Sequence, residues 1–170
     1  REPGRPVTMS EAETLERFLV RRAAHEPVSR IVGRRWFHGH EMEVTPATLD
    51  PRPETETLVD GVLACINERF GGSQAGLRIL DLGTGTGAII IALLAALPNA
   101  TGVGTDISRD ALAVARRNAS ATGVDERLMV VGTHWSVGVE GPFDIIVSNP
   151  PYIPTRDIEA LERDVRNHDP

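Results

Sequence analysis

Residues 77–97, "LRILDLGTGTGAIIIALLAAL", leave a chain few ways to fold. Leu77 to Leu82 is an apolar run of strand length. Ala88 to Leu97 is apolar on every side, as a helix is when it is buried between layers. Between them Gly83, Gly85 and Gly87 let the backbone turn tightly and approach a ligand where a Cβ would clash. A buried strand that turns at once into a buried helix is the first half of a βαβ unit. The chain is therefore expected to build a parallel sheet with helices on its faces.

The pattern continues downstream. "ATGVGTD" reads as a second strand, and "SRDALAVARRNASATG" as an amphipathic helix with Ser108 as its cap and Gly123 as its stop. "RLMVVG" and "FDIIVS" are two further strands. The predicted class is α/β, a doubly wound, mostly parallel, Rossmann-like sheet whose ligands sit at the carboxyl ends of the strands. Upstream, "SEAETLERFLVRRAAHE" offers Ser10 and Glu13 as a capping box for a short helix that Pro27 ends. "SRIVGRRWFHGHEMEV" reads as a β-hairpin, and the proline-punctuated "TPATLDPRPETE" delivers Glu54 into a helix running to about Phe70. Residues 1–27 are thus expected to be a leader and a helical remnant, 28–50 a hairpin linker, and 51–170 the catalytic domain.

The glycine loop alone is ambiguous, because Gly83-x-Gly85-x-x-Ala88 also satisfies a dinucleotide fingerprint. Asp106, at the end of the second strand, is placed to accept hydrogen bonds from both hydroxyls of a ribose. Asp81 tilts the choice. A carboxylate two residues before the first glycine repels a pyrophosphate and attracts a cation. S-adenosylmethionine is such a ligand, with an ammonium, a sulfonium and no phosphate. Thr84 and Ile107, beside the loop and Asp106, are counted with the same site.

"SNPPYIP", residues 148–154, closes the fourth strand abruptly, since two prolines cannot continue a central strand. The Asn149 side-chain carbonyl and the Pro150 backbone carbonyl are two acceptors able to grip both hydrogens of a planar amino group. Tyr152 is placed to cover the flat face of whatever carries that group, and Pro151 adds rigidity. An amide nitrogen is a poor nucleophile because its lone pair is delocalised. Acceptors on its hydrogens favour pyramidalisation, and holding it in line with a methyl donor makes the transfer an oriented step.

With "DLGTGTG", Asp106 and "NPPY" in order, the chain resembles the class I methyltransferases that act on planar amino nitrogens. More closely, it is similar to the bacterial protein-(glutamine-N5) methyltransferases of peptide-chain release factors, with "PRPETE" at residues 51–56 the most specific match. The resemblance implies S-adenosylmethionine as cofactor and the glutamine of a Gly-Gly-Gln loop on a release factor as acceptor. It implies that Asn149, Pro150 and Tyr152 hold that glutamine, that Arg52, Pro53 and Glu54 line the acceptor pocket, and that Trp135 lies against the adenine. His134 stands where the family has an acidic residue, and Asp50 where an apolar one is usual. The family has a longer helical domain before residue 10 and a sheet that continues past the NPPY loop. This chain is therefore expected to be truncated at both ends.

Two other acceptors remain open: an adenine or guanine amine in nucleic acid, gripped by the same geometry, and none at all, if the chain only binds a nucleoside. The net charge of −6 argues against a nucleic-acid partner. A dehydrogenase rests on the glycine motif alone. His38 and His40 lack further ligands at metal spacing, so no metal is expected. With one cysteine, Cys65, no internal disulfide can form. No apolar run reaches the roughly 18 residues needed to span a bilayer, and a cytoplasmic location is expected.

Overall fold

The computed structural model describes residues 4–150. Helix α1 spans Met9–Ala23 and is capped by Thr8, whose hydroxyl accepts from the Glu11 backbone N–H while Glu11 accepts from the Thr8 N–H at 2.9 Å. The capping box thus lies two residues earlier than the expected Ser10 and Glu13. Both pairs satisfy the same four-residue pattern, and only Thr8 precedes the first helical residue. After α1, residues that the sequence assigns to the hairpin form a short helix, α2, Val28–Val32. Gly33, at φ +74°, ends α2 in the left-handed region and turns the chain into the hairpin. Its strands are β1, Arg34–Phe37, and β2, His40–Glu43.

Helix α3, Pro53–Arg69, begins with its proline at the first helical position, where a missing N–H costs nothing. The remaining elements are β3 (Arg78–Leu82), α4 (Ala88–Ala96), β4 (Thr101–Asp106), α5 (Arg109–Thr122), β5 (Leu128–Gly132) and β6 (Ile145–Ser148). Ser108 caps α5 by accepting from the Ala111 N–H at 3.1 Å, and Gly123 ends it at φ +75°, as the sequence predicts.

The four last strands form one parallel sheet in the order β5-β4-β3-β6. From β3 the chain steps outward to β4 and β5, then crosses to β6 on the other side of β3. The reversal opens a crevice above the carboxyl ends of the strands. Among the described residues β6 pairs with β3 only, and its Ile146 is 61% exposed.

Helix α4 seals one face of the sheet. Ile90, Ile91, Leu93 and Leu94 are fully buried, against Val59 and Ile66 of α3 and Phe37 and Met42 of the hairpin. Each such side chain contributes roughly 1.5–3 kcal/mol. The close approach depends on β4. A Cβ on Gly102 would lie 2.8 Å from the Ile90 Cδ1, and one on Gly104 3.0 Å from the Thr84 Oγ1. Helix and glycine loop therefore rest directly on the β4 backbone.

Candidate functional site

The glycine loop starts as an extension of the sheet. The Thr84 N–H donates to the Thr105 carbonyl at 2.8 Å, and the Gly87 N–H closes the turn on the Thr84 carbonyl at 2.8 Å. The glycines divide by role. Around Gly83 and Gly85 nothing lies within 4 Å of where a Cβ would stand, so both face open space at the crevice. A Cβ on Gly87 would come within 2.8 Å of Ile91 and 3.2 Å of Ala115. Gly87 thus packs closely against α4 and α5.

Asp106 is tied into the same loop. Its Oδ2 accepts from the Gly85 N–H at 2.9 Å and its Oδ1 from the Ser108 N–H at 2.9 Å. Each oxygen keeps a lone pair for an external donor. The Asp106 carbonyl accepts from the Thr133 N–H at 3.0 Å, which brings the loop carrying Trp135 to this strand end. Trp135 is 48% exposed, sits at φ +55° and meets the His134 ring edge-on at 6.1 Å. A bulky residue in the left-handed region is strained, and such strain gathers at ligand sites. Ile107 stands beside them, 73% exposed.

Asp81 is fully buried. Strand alternation puts it on the α4 face of the sheet, with Ile79. The Thr84 hydroxyl donates to its Oδ2 at 2.6 Å, while its Oδ1 has no hydrogen-bond partner. Burial pushes its pKa up to about 6; the Thr84 hydroxyl opposes the rise, the charge of Asp106 adds to it, and the Ile90 backbone amide at the start of α4 opposes it. A carboxylate so placed is short of positive charge.

At the end of β6, the Ser148 hydroxyl donates to the Leu82 carbonyl at 2.9 Å and fixes the backbone. Next to it, the exposed Asn149 donates from Nδ2 to the Thr55 Oγ1 at 2.9 Å. Pro150 follows, half-buried, while Pro151 and Tyr152 lie outside the described residues. The structure thus joins the asparagine to the first turn of α3, beside Arg52, Pro53 and Glu54. Arg52 is the residue before that helix, and its carbonyl accepts from the Thr55 N–H at 3.0 Å. Pro53 and Glu54 are exposed in the first turn. Glu56 accepts from the His38 N–H at 3.1 Å, anchoring the turn to the hairpin.

Some contributors were read from the sequence only in part or not at all. Thr55 lies within the "PRPETE" segment, but no task of its own was read there. Arg30 and Asp50 form a buried ion pair at 2.9 Å, with Ser29 donating to Asp50 and Arg30 donating to the Thr45 and Thr48 carbonyls. This pins the segment leading to Pro51, and it accounts for an acid where an apolar residue is usual. Asn118 accepts from the Glu43 N–H at 2.7 Å and donates to the Glu43 and Thr86 carbonyls at 3.1 and 2.9 Å. Its signal was there to find: a polar residue on the apolar stripe of α5, with Ala111, Val114 and Ala115.

Two open glycines, an acid ready for hydroxyl donors, a buried acid with one oxygen unmatched and an exposed tryptophan fit a ribonucleoside that carries positive charge. A shallow depression lined by Arg116, Ser120, Asp125 and Met129 lies beside the amino half of β5, away from this crevice. Among the described residues no three His, Cys, Asp or Glu side chains are placed to hold a metal ion, and no helix is long and apolar enough to cross a membrane.

Comparison with known proteins gives the same direction. Residues 62–164 match the model of the family described as Methyltransferase small domain. A release factor glutamine methyltransferase of Agrobacterium fabrum is 48% identical over 168 residues, covering 99% of this chain and 58% of its own length. One of Rhodospirillum rubrum is 52% identical over 166 residues, covering 98% of this chain and 49% of its own. The chain thus spans about half the length of the curated relatives it matches. The solved structure of human methyltransferase 10 domain containing protein superposes with a TM-score of 0.55 at 19% identity, over 76% of this chain and 64% of that one, and shows the shared fold.

Proposed function

The chain belongs to the Methyltransferase small domain family, and from that premise we propose that it binds S-adenosylmethionine and methylates the glutamine side chain in the Gly-Gly-Gln loop of a peptide-chain release factor, in the cytoplasm. The observation that carries this reading is the bond between Asn149 and Thr55. It supports the reading because it ties the asparagine to the "PRPETE" segment.

Each side of the crevice has its task. Asp106 would accept from the ribose hydroxyls with its two free lone pairs. The backbone at Gly83 and Gly85 leaves room for the amino-acid part of the cofactor, whose positive charge Asp81 would welcome. Trp135 would stack on the adenine. When bound, S-adenosylmethionine supplies an electrophilic methyl group. The Asn149 Oδ1 and the Pro150 carbonyl would accept the two hydrogens of the glutamine amide and raise electron density on its nitrogen. Pro150 lacks an N–H that would compete. With both hydrogens held by these two acceptors, the nitrogen would need no general base before transfer, since its surplus proton could leave to solvent afterwards. Tyr152 would cover the amide face.

The names of the similar proteins support a protein amide over a nucleobase amine as acceptor, and the family match removes the dehydrogenase reading. The test offers labelled S-adenosylmethionine with a release factor and duplex DNA side by side. Label on the Gly-Gly-Gln glutamine, located by mass spectrometry, is expected. Label on DNA overturns the assignment.

A further inference from the structure

An asparagine side chain has two ends of the same size and opposite hydrogen-bonding sense. Only the oxygen end can accept from an amino group; turned by half a rotation, the same residue presents N–H groups to N–H groups. A site that relies on Asn149 therefore needs the side chain held with its oxygen end toward the amino group. The Asn149 backbone is held through its neighbour Ser148, but this does nothing for the side chain, which is exposed.

The hold comes from far back in the sequence: a threonine hydroxyl can donate as well as accept, and in this structure it accepts from the nitrogen end of the amide. Nδ2 of Asn149 donates to Oγ1 of Thr55 at 2.9 Å, across ninety-four positions of chain. Thr55 is a firm post for such a bond. It is half-buried in the first turn of α3, its own N–H is bonded to the Arg52 carbonyl, and Pro53 fixes the start of that turn. As a β-branched residue it has little freedom at χ1. The neighbouring Glu56 ties the turn to the hairpin through the His38 N–H.

We propose that Thr55 is a positioning residue, which holds the amide of Asn149 by its nitrogen end and so turns the carbonyl oxygen toward the acceptor amine. This rests on the role given to Asn149 above. It also assigns part of the "PRPETE" segment a task distinct from lining the pocket: the segment steadies a group at the end of β6.

Four variants test it: Thr55→Val, which keeps the shape and removes the oxygen, Thr55→Ser, Asn149→Ala, and Asn149→Ala combined with Thr55→Val. Losing the one bond that orients the amide is expected to cut kcat about tenfold in Thr55→Val, the equivalent of a single net hydrogen bond. Cofactor affinity by calorimetry and KM for a Gly-Gly-Gln peptide should stay within about twofold, and the melting temperature should be unchanged. Thr55→Ser should recover most of the rate. In the Asn149→Ala background the valine should change the rate by less than about twofold, since the group it orients is gone. By NMR, the side-chain NH2 protons of Asn149 should exchange with solvent faster in Thr55→Val.

A wild-type kcat in Thr55→Val, beside a slow Asn149→Ala, overturns the proposal and leaves the role of Asn149 intact. A tenfold loss that persists in the Asn149→Ala background, or that serine does not relieve, also overturns it. Wild-type turnover in Asn149→Ala removes the reading beneath the proposal, and the proposal with it.

Discussion

The backbone N–H of Gly85 donates to Oδ2 of Asp106 at 2.9 Å, joining the glycine loop to the acid at the end of the neighbouring strand. Loop shape and the proposed ribose recognition therefore depend on one carboxylate. Asp106→Ala is expected to weaken cofactor binding by roughly ten- to a hundredfold, the loss of one or two charge-assisted hydrogen bonds. Turnover at saturating cofactor should suffer less. Asp106→Asn should fare little better than alanine, because its nitrogen end must face either Gly85 or Ser108, both donors. Calorimetric titration decides, and unchanged affinity would remove Asp106 from the site.

Asp81 makes stability depend on pH. Folding raises its pKa from 3.8 to about 6, so the folded form gains from the protonated acid at low pH and loses that gain as pH rises through about 6. The penalty above that range is on the order of 2–3 kcal/mol. Asp81→Asn should therefore melt higher than the parent at pH 8, with the difference shrinking toward pH 4. A cation in the crevice lowers the same pKa. Binding of S-adenosylmethionine should then release a proton near pH 6, and affinity should rise between pH 5 and 7 in the parent but not in the asparagine variant. Equal melting curves at every pH would show that the carboxyl is not penalised by burial.

Asp50 and Arg30 are a pair in which neither side can be lost alone, their side chains being 3% exposed. Asp50→Ala leaves the guanidinium buried and uncompensated, and urea unfolding is expected to show a loss of about 3–5 kcal/mol. Replacing both, as Arg30→Met with Asp50→Leu, should cost clearly less. A double variant as weak as the single would mean that the lost contacts to Thr45 and Thr48 outweigh the charge.

Gly104 tests the seat of the glycine loop. Alanine there meets the Thr84 side chain at 3.0 Å and must displace it from Asp81. A loss of roughly 1–3 kcal/mol is expected from the overpacking. Cofactor affinity should fall with it, as the loop lifts. A variant with the parent's urea midpoint and affinity would show that Thr84 has room to move.

The parallel sheet was legible because β3 and α4 are adjacent, strongly apolar and separated by glycines, so local pattern and tertiary fate agree. The cap and stop of α5 were legible for the same reason. Residues 28–32 were not. "VSRIV" is β-rich by composition, yet Arg30 must reach the Thr45 and Thr48 carbonyls and Asp50 from a buried position, and a turn of helix places it there. In the candidate site, Asp106 and Asn149 could be picked out because each ends a recognisable strand. Thr55 lay inside the matched "PRPETE" segment, but its own task could not be read, since its partner is far along the chain. Gly102 and Gly104 were also silent, because glycine in a strand shows its reason only once the helix above is in place.

Asn118 carries a consequence for how such a protein can change over evolution. Its amide holds both the Glu43 backbone and the Thr86 carbonyl, so the leading hairpin and the glycine loop share one buried clasp. The leading part cannot be exchanged as a cassette. A foreign segment grafted ahead of the sheet would have to present a backbone donor and acceptor where Glu43 does, or strand a polar group in the interior. Change would then fall on the hairpin's exposed side chains, with its main-chain path kept beneath them.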